Sequence, residues 1–245
     1  MEYYPEEGIV TSENNTVDKC ARLTIKNREL GKRCLAVAFV LPVGMYLSEF
    51  SVFLEEPLFE KIYYGNLNTM FYHIACAIFI FAFVAFFHRA VKLAAGFTPF
   101  EKKPGKLSLK RKAILYAMTL FPVFITSAAL DFRFKLVYGL GERVTGMTLL
   151  GNGVGYVHAA AKLLCALYFI ALVEQAFEAI YHSVRPIPVG GILAAATFGV
   201  AEMIFAPSAF SLLHLFLIGY FGVVYLVSEK RFGITYALAL IMYIL

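Results

Sequence analysis

Seven stretches of this chain are apolar over helical lengths: Cys34–Leu54, Thr69–Phe87, Ala113–Leu130, Val157–His182, Ile187–Ala206, Ser208–Val227 and Phe232–Leu245. Crossing a hydrocarbon core of about 30 Å takes roughly 20 helical residues, and all but the last come close to that length. The last rises only about 21 Å. A start nearer Ser228, with Lys230 and Arg231 reaching back to the interface, nearly closes the gap. Pro42 and Pro122 fall inside spans, where a kink is tolerated in lipid. The pattern predicts an all-α fold, a polytopic membrane helical bundle of about seven transmembrane helices.

The polar positions complete this picture. Residues 1–33 are acidic at first and then basic, which reads as a cytoplasmic polar tail with a short amphipathic lead-in helix; 34–245 is then the transmembrane domain. Lys and Arg placement sets orientation more strongly than acidic residues do. An N-terminus in the cytoplasm puts 17 of the 22 Lys and Arg residues on the inner side. It leaves Lys61, Arg133, Lys135 and Arg143 in outer loops and Lys162 within a span. Seven spans then carry the C-terminus outside. An even span count would need a re-entrant piece, and the glycine-bearing segment 131–156 is the best place for one. Its Gly151–Gly155 motif lacks the Lys-Ser/Thr of a phosphate loop and reads as a flexible connection.

Composition agrees with a membrane protein: 60% of residues are hydrophobic and 24 are Phe, against about half apolar in soluble domains. The net charge of +5 comes from residues beside the spans, so topology explains it and nucleic-acid binding is not expected. The expected partners are the lipid bilayer and other integral membrane proteins. Cys20, Cys34, Cys76 and Cys165 have no metal-ligand spacing and read as free thiols. The basic loop from Phe100 to Lys112 suits anionic lipid headgroups, although such a loop more often only fixes topology.

The candidate chemistry lies on the fourth apolar stretch. Glu174, Glu178, His182 and Arg185 recur at i, i+4, i+8 and i+11 and so share one helix face. A carboxylate inside a span is a functional candidate by default. Two neighbouring carboxylates can share a proton as an acid/base pair, and a histidine could complete a metal site. The plainer reading of Glu178, His182 and Arg185 is an interfacial ion-pair ladder. Glu202 lies too far along the next span to join them, and pairs more simply at its own depth with His214 or Lys162. His73, His88 and His158 stand alone near span ends or on Phe-rich faces, with no acid at ligand spacing, and read as hydrogen-bonded packing residues. No serine-protease or zinc-protease motif is present.

Three stretches in the C-terminal half, about 95–245, resemble the CPBP family, the CAAX-protease and bacteriocin-processing membrane proteins also called Abi. The family's EExxxR motif is similar to Glu174-Gln175 in EQAFEA, its FxxxH motif to Phe198–Glu202 in FGVAE, and its closing glycine-rich helix, basic turn and last helix to Leu215–Leu245. The resemblance implies a CPBP-like helical core and, in active members, peptide hydrolysis by a glutamate and histidines near the cytoplasmic side. Here Gln175 and Ala179 stand where the family has its second glutamate and its arginine. Glu202 replaces the second-motif histidine, and Ile241 or Met242 the third-motif one. Glu174 alone remains of that polar set.

Three functions follow as expectations. The first is a non-catalytic subunit or chaperone, a pseudoenzyme that binds other membrane proteins and needs no cofactor. The second is an active CPBP-type intramembrane endopeptidase using Glu174, Glu178 and His182, in which case a metal is possible. The third is a transporter or proton-relay protein using the same acids.

Overall fold

The computed structural model describes residues 10–49, 65–101, 105–129, 146–181, 187–205 and 209–244, and every regular element among them is helical. Helices α1 (Val10–Glu49), α2 (Gly65–Ala95), α3 (Leu109–Ala129) and α4 (Gly146–Ile180) come first. Then α5 (Val189–Ala194), a π-helical turn (Ala195–Gly199) and α6 (Val200–Phe205) run on as one rod, followed by α7 (Ala209–Val227) and α8 (Phe232–Ile244). Three stretches are long and apolar enough to cross a membrane: Asn27–Ser48, Met70–Ala95 and Gly153–Ile180. Val189–Ile204, Ser211–Val227 and Phe232–Ile244 are shorter apolar helices.

Helix α4 is the axis of the molecule. Every residue from Cys165 to Glu174 is buried, and a helix apolar on all sides is one that neighbours surround. Those neighbours are α1, α2, α5, α7 and α8, while α3 lies further out, against α7 and α8. Helices α1 and α2 run antiparallel: Arg33 Nη1 donates to the Ala94 carbonyl at 2.9 Å near one end. Near the other, Cys76 Sγ donates to the Ser48 carbonyl at 3.2 Å. Among the described residues Cys34, Cys76 and Cys165 are buried free thiols.

Two elements differ from the sequence expectation. Helix α1 is continuous from Val10, rather than a tail with a separate short lead-in helix. No proline interrupts it before Pro42, and from Lys19 to Arg33 nine of the fifteen residues are Lys, Arg, Glu or Leu, which favour helix. Gly151–Gly155, expected as a flexible connection, is helical within α4. Glycine is frequent in membrane helices, where the backbone has no water to turn to and keeps its internal hydrogen bonds. The segment 130–145, most of the region expected to hold a re-entrant piece, lies outside the described residues, as do His182 and Arg185.

The α5 rod meets α7 at a point where side chains leave no room. A Cβ on Gly191 would lie 2.5 Å from the Gly219 carbonyl oxygen and 2.8 Å from Gly222 Cα, so the two backbones touch and only glycine fits. From there α7 runs to the turn Ser228–Arg231, where Glu229 and Lys230 both hold φ of 60°. Two successive left-handed non-glycine residues persist only where their surroundings fix them. The contacts that do so belong to the candidate site.

Candidate functional site

Glu174 is 2% exposed and faces the start of the α5 rod. Its Oε1 accepts the Gly190 backbone N–H at 2.8 Å. The first N–H groups of a helix have no partner inside it, and a carboxylate at that end both accepts a hydrogen bond and meets the positive end of the helix dipole. The fit is close: a Cβ on Gly190 would lie 2.5 Å from the Ile170 carbonyl oxygen and 3.0 Å from Glu174 Cγ. Glu174 therefore ties the central helix to the rod beside it.

One turn on, Glu178 points out of the bundle and pairs with Lys230 of the α7–α8 turn. Glu229 in the same turn pairs with Arg111 of α3 and with Arg231, the latter at 3.2 Å. Arg231 Nη1 also donates to the Gly105 carbonyl at 2.7 Å. The left-handed turn is thus clamped by charges from α3 and α4 and by a backbone carbonyl of the linker before α3. Four residues apart on one helix, Glu174 and Glu178 share a face; the first is buried under α5, and the second, a turn nearer the helix end, is exposed. His182, the third residue of the expected acid–base set, lies outside the described residues.

A second polar focus lies at the far end of the rod. Glu202 is twelve residues beyond Gly190, about 18 Å along a helix. Its Oε1 lies 2.7 Å from His214 Nδ1 on α7, and the His214 ring stacks on Tyr243 of α8 with centroids 5.4 Å apart. Lys162, the other partner considered for Glu202, is half-buried on α4. Between the two foci the π-helical turn shifts the backbone ladder, as an inserted residue does. Tyr46 of α1 donates its hydroxyl to the Phe198 carbonyl there at 2.9 Å.

His73 and His158, expected to stand alone as hydrogen-bonded packing residues, are not alone: they bond to one another. Their Nδ1 atoms lie 3.0 Å apart, with Tyr72 against both rings. One ring must carry its proton on Nδ1 while the other presents a lone pair. These residues are 85 positions apart in the chain, and nothing in the sequence pairs them. His88 also has company, in a ring cluster with Phe100, Tyr168 and Phe232. There the buried His88 Nδ1 and Tyr168 hydroxyl have no hydrogen-bond partner among the described residues. No group of three or more His, Cys, Asp or Glu side chains close enough to share a metal ion occurs among the described residues.

The fold and these contacts define an all-helical protein with three helices able to span a membrane and its buried acid at a helix–helix junction. Comparison with protein-family models, with curated proteins and with solved structures gives no match.

Proposed function

We propose that this protein spans the membrane seven times, N-terminus in the cytoplasm and C-terminus outside, with a CPBP-like helical core over about residues 95–245. In this reading it works without catalysis, binding other integral membrane proteins as a subunit or chaperone. The observation that carries the reading is how the acids are engaged. Glu174 holds the Gly190 N–H, Glu178 holds Lys230 and Glu202 holds His214. Each carboxylate thus joins two elements of the chain, a structural role that needs no substrate. Association in lipid depends instead on packing. Helix α2 offers Phe79 and Phe86, seven residues apart on one face and both exposed, for it.

The experiment is site-specific photo-crosslinking in native membranes from Phe79 and Phe86, followed by identification of the adducts. Discrete membrane-protein adducts, lost in Phe79→Ala/Phe86→Ala, are expected. Metal-dependent cleavage of a peptide by the purified protein, abolished in Glu174→Gln, would overturn this reading in favour of the CPBP-type endopeptidase.

A further inference from the structure

The outer face of α3 carries an apolar stripe capped by lysines. Arg111 turns inward to Glu229, which fixes the rotation of the helix. At 100° per residue, Leu109, Tyr116 and Leu120 then lie within about 40° of the opposite direction. They are 83%, 66% and 67% exposed, so the geometry and the exposure agree. Lys110 and Lys112 flank this stripe, one on each side, about 100° from Arg111. Lys106 precedes them in the linker that Arg231 pins at the Gly105 carbonyl. All three lysines are exposed, and none has an ion-pair partner among the described residues. Nearby Glu229 and Glu178 are already engaged by Arg111, Arg231 and Lys230; Glu101 stands exposed in the same linker.

We infer that this face binds an anionic glycerophospholipid, its phosphate among Lys106, Lys110 and Lys112 and an acyl chain along Tyr116 and Leu120. The depths suit such a molecule. Tyr116 is seven residues into the helix from Leu109, about 10 Å, and Leu120 about 16 Å. A zwitterionic headgroup brings its own cation, which three ammonium groups repel, whereas an anionic one gains from each. This inference needs the protein to sit in a bilayer, and does not depend on which membrane proteins it binds.

The chain contains no Trp, so Tyr116→Trp introduces a single fluorophore beside the site. The full-length variant is reconstituted in phosphatidylcholine vesicles doped with acyl-brominated phosphatidylglycerol or with acyl-brominated phosphatidylcholine, and quenching by the two lipids is compared. An effective preference of about ten-fold for the anionic lipid is expected. Adding Lys106→Gln, Lys110→Gln and Lys112→Gln should bring it to about unity. A reporter at the far end of the rod, Ile204→Trp, should show no preference. Equal quenching by both lipids at Tyr116→Trp overturns the inference, as does a preference that survives the triple change. If the triple variant does not fold, salt replaces it: a preference unchanged between about 0.05 and 1 M salt overturns the inference equally, because screening must weaken a headgroup contact of this kind.

Discussion

Replacing Glu174 probes the junction of α4 and α5 most directly. In Glu174→Ala the Gly190 N–H loses its 2.8 Å acceptor at a buried position. A buried donor left without a partner costs about 1–3 kcal/mol. For a chain of this size, each kcal/mol lowers Tm by roughly 2–4 °C, so a fall of about 4–8 °C is the central expectation. Glu174→Gln keeps the side-chain length and an acceptor oxygen, and should cost less than about 1 kcal/mol. Gly190→Ala attacks the same junction from the other side. Its new Cβ would lie 2.5 Å from a backbone carbonyl, which cannot yield as a flexible side chain can, and overpacking of this kind costs about 1–3 kcal/mol. Thermal unfolding in mild detergent, followed with a thiol-reactive dye, reads all three variants, because Cys34, Cys76 and Cys165 are buried until the bundle opens. The reasoning fails if Glu174→Ala melts with the parent, or if Glu174→Gln falls as far as Glu174→Ala.

Other outcomes follow from the same contacts. Glu202→Ala and His214→Ala should each lower stability by about 1–3 kcal/mol, and the double variant by less than their sum; strict additivity in the cycle would show that the 2.7 Å contact contributes nothing. Tyr168→Phe removes a buried hydroxyl with no partner among the described residues and should leave Tm unchanged or raise it; a fall of more than about 3 °C would reveal a partner for that hydroxyl. Cysteines placed at Lys106 and Gly141 should react with an impermeant maleimide only from the cytoplasmic and outer sides respectively, and the reverse pattern excludes the proposed orientation.

Much of the helical framework was legible from the sequence because the length of an apolar run is a local property. Runs beginning near Cys34, Thr69 and Val157 became α1, α2 and α4, since a backbone with no water to bond must satisfy itself within the segment. The faces of those helices were not legible. In a soluble helix the apolar stripe marks the side facing the core, but in lipid both the packed and the exposed sides are apolar. Phe169, fully buried, and Phe86, largely exposed, are indistinguishable as letters in a sequence. The charged face of α4 could be drawn, and spacing placed Glu174 deeper than Glu178, yet what the buried acid would meet could not be read. That was decided by Gly190, whose missing side chain lets the rod approach Glu174 closely enough to give it an N–H. Glu178 found Lys230, and His73 found His158, only because the packing of α1, α2, α5, α7 and α8 around one buried helix brings distant residues to the same depth. Sequence spacing records depth along a single helix; rotation about its axis, and so the choice of partner, is set by what packs against it.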